Sequence, residues 1–550
     1  MRINKHLPVL GGLLVMCACS QESQEIAAID ESEVVTESRP NILFIVADDL
    51  GFTDIGAFGS EIATPNLDRL AYQGLRLNNL HAASACQQTR TMLMASAPVS
   101  GTIITRPSHE GGQRNNLLSR EWAIIPELMQ EAGYATYMTG KWDLGWDDGY
   151  TPATRGFDRS FVQLNGSASF FREIFLMPEA LGLGYEDGGE RLELDALPED
   201  FYATDHYTNK MLEYLQENEE GTPWFAYMPY TAPHWPLQLP EELLHRNDGR
   251  YDMGYDELRE QRFKRAGQMG VLPENSSLDE YSPLAEPWEN LSEEEKQRYS
   301  KAQGIFAGMI EHLDMSIGRV ISYLEESGQM ENTVIVFTAD HGASSGEHGV
   351  DTGRGPQGGG PDMPHWMDNS IENFGRMSSF IDHGRGFGEA ASAPFKYQKG
   401  TIDEGGLRAA AFVRYPAAVE AGDVGDAFMS MMDFLPTFME IAGTEHPGAS
   451  TFQGREINDI RGRSAWQYLT GQADTIHLDT DVAGWDYGDG GALIRGGYKI
   501  INTVAPGQPR DNADWRLYNL VDDPGEHADL SADHPEMVSG MVAEWEANWK

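Results

Sequence analysis

The sequence is poor in cysteine. Its 550 residues include only three, Cys17, Cys19 and Cys86, and the first two lie in a stretch with the features of a targeting signal. Once that stretch is processed, Cys86 has no partner in the chain with which to form a disulfide. An unpaired thiol in an exported protein is most often a small, buried apolar side chain. A functional role for Cys86 therefore requires independent support.

Basic residues are also scarce. The chain has 40 lysine and arginine residues against 86 aspartate and glutamate residues, which gives a formal net charge of −46. This balance argues against nucleic acid as a partner, because a polyanion is bound through basic side chains. Most of the acidic excess is interpreted as a solvated surface suited to a saline habitat. A handful of carboxylates would be enough to bind a metal ion.

The chain opens on an apolar run that is too short to cross a membrane. LPVLGGLLVM has ten residues and follows Arg2 and Lys5, which predicts a signal peptide over residues 1–18. The small residue before Cys19 resembles the processing site of bacterial lipoproteins, so a lipid anchor there is expected. The expected location is periplasmic or anchored to the outer membrane of a Gram-negative bacterium, with plain secretion as the alternative. Residues 19–38 are predicted to be an acidic linker.

Four apolar runs along the rest of the chain have the character of buried parallel strands. They are NILFIVADD, YATYMTGKWD, PWFAYMPYTAPHW and NTVIVFTADHG. Helix-like stretches such as IPELMQEAGY and MIEHLDMSIGRVISYLEESG lie between them. This alternation predicts an α/β fold with a large mixed, mostly parallel sheet flanked by helices.

The pattern changes near the C-terminus. Short strand-like pieces, GALIRGGYKIINTV and DWRLYNL, are followed by the amphipathic segment PEMVSGMVAEWEANWK. They predict a small subdomain with an antiparallel sheet and a helix. The expected organisation is a catalytic domain over residues 39–475 and a C-terminal subdomain over 476–550.

Charged side chains follow the predicted strands at their carboxyl ends, where ligands bind in sheets of this kind. Asp48, Asp49 and Asp340 supply hard oxygen ligands, which suit Ca²⁺ or Mg²⁺, and the neighbouring His341 can ligate or donate a hydrogen bond. A second set is cationic and, if it converges on one point, would bind an anion such as sulfate or phosphate. Its members are Arg90, Lys141, His234 and Lys399.

Seven ordered motifs resemble those of the type I sulfatases of the alkaline phosphatase superfamily, with bacterial arylsulfatases as the nearest likeness. They are RPNILFIVADDLG, CQQTR, TGKWDLG, APHWPLQLP, TADHG, QKGTIDEGGLR and the terminal WRLYNLVDDPGEHADL. The resemblance runs from about residue 39 to the end of the chain. It implies an alkaline-phosphatase-like fold and hydrolysis of sulfuric esters.

The resemblance also implies a role for the unpaired cysteine. In this family a separate maturase oxidises the cysteine of the CQQTR position, here Cys86, to formylglycine, whose hydrate attacks sulfur with one hydroxyl and expels sulfate with the other. One Ca²⁺ per chain would be held by Asp48, Asp49, Asp340 and His341, with the side chain at position 86 as a further ligand. The family's roles place Arg90 on the hydrate, Lys141 and Lys399 on sulfate oxygens, and His234 on the sulfate or the leaving oxygen.

Two positions depart from the family pattern. Gln88 stands where the converting enzymes usually read proline or alanine, and Asp143 stands where the family has the histidine that accepts a proton from the hydrate. Three functions therefore stay open: a sulfatase acting on an aryl or carbohydrate sulfate, a sulfatase-like protein that binds sulfated ligands with little or no turnover, and a phosphodiester or phosphonate ester hydrolase. In the first, Asp143 joins the catalytic set with Cys86 and the cations.

Overall fold

The structure is a computed structural model that describes residues 39–107, 114–172, 184–278, 284–344, 346, 367–487, 490–503 and 514–549. The predicted signal peptide, the acidic linker and Cys19 lie outside the described residues. Among the helices of the described residues, none combines the length and the apolar character needed to cross a membrane.

The described strands range from two to seven residues. In chain order they are β1 (Asn41–Ala47), β2 (Leu75–His81), β3 (Ile103–Pro107), β4 (Arg114–Leu118), β5 (Ala135–Lys141), β6 (Arg159–Gln163), β7 (Tyr185–Asp187), β8 (Glu190–Arg191), β9 (Trp224–Pro229), β10 (Thr333–Ala339), β11 (Arg408–Arg414), β12 (Val424–Gly425), β13 (Met429–Ser430), β14 (Ser450–Phe452), β15 (Arg455–Ile457), β16 (Val482–Tyr487), β17 (Gly490–Arg495), β18 (Tyr498–Ile501) and β19 (Arg516–Asn519).

The main sheet has the strand order β12-β2-β11-β10-β1-β9-β5-β6-β7-β8, and β13 also pairs with β2. Strands β10, β1, β9, β5 and β6 form a parallel centre. Strand β11 runs antiparallel to both of its neighbours, and β7 and β8 continue the other flank antiparallel. The predicted mixed, mostly parallel sheet is confirmed, and the four predicted runs supply β1, β5, β9 and β10.

The described helices are α1 (Pro65–Tyr72), α2 (Cys86–Ala95), α3 (Ile125–Glu131), α4 (Ala203–Gln216), α5 (Tyr255–Gln268), α6 (Glu293–Glu326), α7 (Arg385–Ala391), α8 (Glu404–Leu407), α9 (Phe434–Ile441), α10 (Trp466–Leu469) and α11 (Pro535–Asn548). Helices α1 and α4 pack on α6, whereas α2 and α3 pack on α9. Phe44 of β1 meets the rings of Phe434 and Phe438 of α9, each at 5.1 Å between centroids. The continuous apolar run of β1 is thus explained by burial of the whole strand.

The C-terminal residues form a four-stranded antiparallel sheet in sequential order, β16-β17-β18-β19. Helix α11 covers it, and its Met541 and Trp545 share a small core with Leu493, Ile500 and Leu517 of the sheet. The predicted antiparallel sheet plus helix is confirmed. The boundary at residue 475 stays a prediction, since the chain from Arg39 onward is a single compact unit by its contacts.

Candidate active site

The carboxyl edge of the parallel sheet gathers the predicted metal ligands. Strands β1 and β10 pair in register up to Ala47 and Ala339, so the residues that follow, Asp48 and Asp340, leave the sheet side by side. The backbone then turns at Asp49, which has a left-handed φ of 65°, and its amide donates to Asp340 Oδ1 at 3.2 Å. Strand register therefore brings the three carboxylates together.

Cys86 is the first residue of α2 and is 7% exposed. Its thiol donates to Asp48 Oδ1 at 3.3 Å, and its Sγ lies 3.2 Å from His341 Nε2 and 3.4 Å from Lys399 Nζ. The turn before the helix is held by Thr89, whose Oγ1 accepts from the amide of Ala83 at 2.9 Å. The sequence-predicted nucleophile position thus lies at the centre of the cluster.

Cationic side chains surround the carboxylates. Lys141 Nζ, at the end of β5, donates to Asp48 Oδ2 at 2.6 Å. Arg90 Nη2 lies 3.3 Å from Asp340 Oδ2 and 3.4 Å from Asp48 Oδ2, while its Nη1 donates to the carbonyl of Lys141 at 2.8 Å. The carboxylates and cations together form a compact, alternating charge cluster.

The two remaining predicted cations contact Asp49. Lys399 Nζ donates to Asp49 Oδ1, and His234 Nε2 lies 3.6 Å from Asp49 Oδ2. His234 Nδ1 is 2.5 Å from the carbonyl of Trp235. Since a carbonyl oxygen only accepts, Nδ1 carries the proton and Nε2 of His234 is the ring atom that faces the cluster.

These contacts set the pKa values of the buried acids. Burial by itself would raise the pKa of Asp48, but the positive charge of Lys141, followed by those of His234 and Arg90, holds it well below its ordinary value. For Asp49, burial is likewise outweighed, and His234 and Lys399 lower its pKa to about 2. Both carboxylates are therefore ionised at neutral pH.

Asp340 and His341 shift the other way. Burial and then the neighbouring charge of Asp48 raise the pKa of Asp340. Burial opposes protonation of His341, yet Asp340 and then Cys86 raise the pKa of that histidine to about 9. His341 Nδ1 donates to the carbonyl of Gly342 at 2.8 Å, which leaves Nε2 directed at the carboxylates.

The donor set could hold a metal cation. Single ligand atoms of Asp48, Cys86, Asp340 and His341 lie within 4.8 Å of one another, and the same holds for Asp48, Asp49, Cys86 and His234. Asp49 Oδ2 is buried without a hydrogen-bond partner among the described residues. A buried carboxylate oxygen left in this way is costly unless a further cation satisfies it. A cation bound here would also displace the proton from His341 Nε2.

Asp143 is partly buried and lies near this cluster, since the charges of Lys141, Arg90 and Asp48 act on its carboxyl. Its φ of 56° turns the chain just after β5, so the segment is not extended there. Its carbonyl accepts from Gln87 Nε2 at 3.0 Å, and its carboxylate faces the Cα of Gly166. Burial raises its pKa, with the charge of Lys141 acting in the opposite direction.

Gln88, the other departure from the family pattern, lies in the first turn of α2. Its Oε1 accepts from the hydroxyl of Ser84 at 2.9 Å. This bond spans Cys86 from the residue two positions before it to the residue two positions after it. Gln88 thus supports the turn that carries the cysteine.

Two residues near the cluster were missed by the sequence interpretation. Asp382 is fully buried, and Ser344 donates to its Oδ2 at 2.7 Å. Burial raises the pKa of Asp382 to about 7, and among the smaller influences are the charges of Asp49 and His234. Ser344 follows the TADHG motif closely and could have been noticed from it, whereas no local pattern marks Asp382.

The comparisons with known proteins agree with this site. The sulfatase family model matches residues 40–444, and the chain belongs to that family. An uncharacterized sulfatase of Schizosaccharomyces pombe is 37% identical over 529 residues, covering 92% of this chain and 93% of that protein. An arylsulfatase of Klebsiella aerogenes is 32% identical over 419 residues, covering 74% and 88%.

A solved structure shows the same fold. Ps i-CgsB in complex with k-i-k-neocarrahexaose superimposes with a TM-score of 0.64 at 22% identity, covering 93% of each chain. The alkaline-phosphatase-like fold expected from the sequence is confirmed. The chain is a sulfatase-type hydrolase of sulfuric esters.

Proposed function

We propose that this sulfatase releases sulfate from an aryl or carbohydrate sulfate and that its nucleophile is a formylglycine formed from Cys86 by a separate maturase. The observation that carries the proposal is the position of Cys86 Sγ, within 3.4 Å of Asp48, His341 and Lys399. A structural cysteine packs among apolar groups, whereas this one is surrounded by ionisable side chains. When formed, the hydrated formylglycine supplies two hydroxyls, one to attack sulfur and one to expel sulfate.

The cations are placed to bind the sulfate group. Lys141 and Lys399 pair with different carboxylates of the cluster, the first with Asp48 and the second with Asp49. Their ammonium groups can exchange part of these contacts for sulfate oxygens, since each has three donor hydrogens. Arg90 contacts Asp48 and Asp340 and is assigned to stabilise the hydrate at position 86. Binding of an anion here is supported by the number of buried positive charges.

We propose that the metal is one Ca²⁺ per chain, held by Asp48, Asp49, Asp340 and His341 together with the modified side chain at position 86. Oxygen-rich ligand sets of this kind favour a hard cation. The ion would act as a Lewis acid on a sulfate oxygen. Strand register and the bond from the Asp49 amide to Asp340 hold these carboxylates close together, which supports the assignment.

Proton transfer falls to His234 and Asp143. Nδ1 of His234 is held by the carbonyl of Trp235, so Nε2 is the ring atom placed to give a proton to the leaving oxygen. Burial lowers the pKa of His234, which favours release of that proton. Asp143, whose carbonyl accepts from the side chain of Gln87 next to the modified residue, is assigned as the proton acceptor in place of the family's histidine. Burial raises its pKa and so increases its basicity.

The localisation proposed from the sequence is a lipid anchor at Cys19 and a periplasmic or outer-membrane position. It rests on the short apolar run and the small residue before Cys19. Expression in a Gram-negative host with a labelled fatty acid tests it. Label retained by the wild type and lost in Cys19→Ala supports the anchor, and unlabelled wild type removes it.

Mass spectrometry of the tryptic peptide that spans Cys86, on protein produced with its own maturase, tests the chemistry first. The expected result is the mass loss for conversion of the thiol to an aldehyde, followed by calcium-dependent sulfate release from 4-nitrophenyl sulfate or a sulfated saccharide. Converted protein with no turnover on any sulfate would favour a ligand-binding sulfatase homologue, to which the departures at Gln88 and Asp143 point. An unconverted thiol would overturn the formylglycine proposal.

A further inference from the structure

The segment that carries Lys399 is bonded to two parts of the candidate site. The amide of Gly400 donates to the carbonyl of Ser84 at 2.8 Å, and the amide of Ala82 donates to Leu407 at 2.8 Å. On its other side, the amide of Lys399 donates to Ala343 at 2.9 Å. The segment 399–407 therefore links the turn before Cys86 to the loop after β10.

The glycines of this segment make the close approach possible. A Cβ at Gly405 would lie 2.1 Å from the carbonyl of Tyr397, and one at Gly406 would lie 2.2 Å from that of Thr401. Neither position has room for a side chain. This close packing makes the segment 399–407 rigid. A shift at its C-terminal end, near Glu404, would therefore also move Lys399.

Glu404 fixes the C-terminal end of this segment through bonds to three fully or nearly buried side chains. Its Oε2 accepts from His81 Nε2 at 2.9 Å and from Arg408 Nε at 2.5 Å, and its Oε1 accepts from Lys499 Nζ at 2.9 Å. His81 is the last residue of β2, the strand that leads into the Cys86 turn. The carboxylate of Glu404 thus connects the segment 399–407 with β2 and with the C-terminal sheet.

The C-terminal sheet provides Lys499, one of the cations that contact Glu404. Lys499 lies on β18, is 0% exposed, and also contacts Glu526 Oε1 at 2.8 Å, while Glu526 Oε2 accepts from the amide of Glu404 at 2.8 Å. A second contact is direct, because Trp485 Nε1 of β16 donates to the carbonyl of Ala82 at 2.8 Å.

Stability alone is a poor reason for these buried charges. A buried ion pair contributes little net stability relative to apolar side chains of similar volume, because desolvation offsets the attraction. What such a pair does provide is direction and distance. Here the directed bonds end on the two segments that carry Cys86 and Lys399, whose side chains lie 3.4 Å apart.

We propose that Glu404 and Lys499 are positioning residues for sulfate-ester hydrolysis, through which the C-terminal sheet fixes Lys399 against the residue at position 86. The proposal rests on the proposed function. Neither residue contacts the reacting atoms. The sheet is then part of the catalytic architecture, although none of its described residues contributes a side chain to the site.

The test uses three variants of the full chain, produced with the maturase and assayed with 4-nitrophenyl sulfate. Lys499→Met removes the charge and is expected to lower kcat about 10- to 100-fold, the scale of a misplaced reacting group, with unchanged conversion of Cys86. Lys499→Arg keeps the charge and should recover most of the rate. Trp485→Phe keeps an aromatic side chain but removes the donor to Ala82. It should also lower kcat, and it carries the test if Lys499→Met does not fold.

Arg414→Met is the matched control. Arg414 is a buried cation at the end of β11 that lies away from Arg408 and Glu404. It donates to Met330 O and Glu331 Oε1, each at 2.7 Å. It is expected to lower the melting temperature without changing kcat. An unchanged kcat in folded Lys499→Met and Trp485→Phe, or an equal fall in Arg414→Met, would overturn the proposal.

Failure of the proposed function is recognised separately, from wild-type protein that is converted but releases no sulfate. Calorimetric binding of inorganic sulfate then tests the positioning. A weaker sulfate affinity in Lys499→Met, with wild-type affinity in Arg414→Met, supports the role of Lys499. Equal affinities in all three proteins overturn it.

Discussion

At the scale of single residues, the site contains buried charges of both signs, so one charged substitution can change its affinity for sulfate. Asp143 adds a carboxylate near this site, where the family places a histidine. A carboxylate at about 4 Å from a bound sulfate costs on the order of 4 kcal/mol at an effective dielectric constant near 20, before screening. The positive charges of Lys141 and Arg90, which both act on the Asp143 carboxyl, offset part of this repulsion.

The first prediction concerns this residue. Asp143→His removes the negative charge next to the sulfate and introduces the family's imidazole. KM for 4-nitrophenyl sulfate is expected to fall and kcat/KM to rise about tenfold. This gain corresponds to only a part of the repulsion energy given above. Asp148→His makes the same replacement at an exposed position of the same loop and serves as the control. A lower kcat/KM in Asp143→His would contradict this prediction and show that the loss of the carboxylate base outweighs the relief of repulsion.

The second prediction concerns maturation. Gln88 lies in the first turn of α2, before the first intrahelical bond, which runs from the amide of Thr89 to the carbonyl of Ala85. Gln88→Pro therefore loses no helical hydrogen bond, and it restores the residue that maturases usually read. In a host with a standard maturase, the converted fraction of Cys86 is expected to rise several-fold by peptide mass spectrometry.

Gln88→Ala introduces the other residue that maturases usually read at this position. It also removes the bond from Ser84, but it leaves the backbone free. Equal conversion in wild type and both variants would mean that Gln88 is no obstacle to the maturase. Loss of conversion in both would assign Gln88 a positive role in recognition.

At the scale of elements, the sequence was informative wherever burial leaves a continuous apolar run. Strands β1 and β10 are fully buried, and their runs predicted both the strands and the place of Asp48 and Asp340 beyond them. The antiparallel flanks were not predicted strand by strand, because β7 and β8 have only three and two residues. Short edge strands carry too little pattern to be recognised.

The nucleophile helix and its support were beyond local pattern. Helix α2 begins at Cys86 behind Ala85, which offers no side-chain cap, so no start signal marks it. Only the resemblance of CQQTR to a family motif pointed to the cysteine. The bond between Glu404 and Lys499 joins residues 95 positions apart and follows from the docking of a whole sheet. Contacts of this kind are a property of the tertiary fold.

The third prediction tests how that docking depends on pH. Burial, which Lys499 only partly offsets, raises the pKa of Glu526 from 4.5 to about 7. The folded state thus favours the protonated acid, and this stabilisation is complete below pH 4.5 and is lost as the pH rises toward 7. The loss amounts to roughly 3 kcal/mol, since each pKa unit corresponds to about 1.4 kcal/mol.

Glu526→Gln imitates the protonated acid. Its free energy of unfolding, measured with urea, is expected to exceed that of the wild type at pH 8 and to approach it near pH 4.5. Glu536→Gln, at an exposed position of α11, controls for loss of a carboxylate and should follow the wild type at both pH values. A constant difference between Glu526→Gln and the wild type across this range would contradict the prediction.

At the scale of the whole molecule, the acidic excess is a property distinct from the site. The chain carries 86 acidic against 40 basic residues, and the buried cluster around Cys86 uses only a few of them. Many basic side chains are already engaged, as in the exposed pairs Arg69–Glu325 and Arg463–Asp481. Such surface pairs contribute little individually. Most acidic side chains therefore add to a repulsion that acts over the surface.

The fourth prediction follows from that repulsion. Like charges destabilise a compact state, and screening shortens their range from about 30 Å at 0.01 M salt to about 10 Å at 0.1 M. The melting temperature is therefore expected to rise by several degrees between 0.01 M and 0.5 M NaCl, at fixed pH and saturating calcium.

KCl at equal ionic strength should give the same rise, since the effect belongs to ionic strength and not to the cation. Calcium must be held constant because an ion that binds the folded state shifts stability by mass action and would imitate screening. A melting temperature that stays flat or falls would mean that the acidic side chains are locally neutralised, and that the net charge of −46 overstates the field around the folded protein.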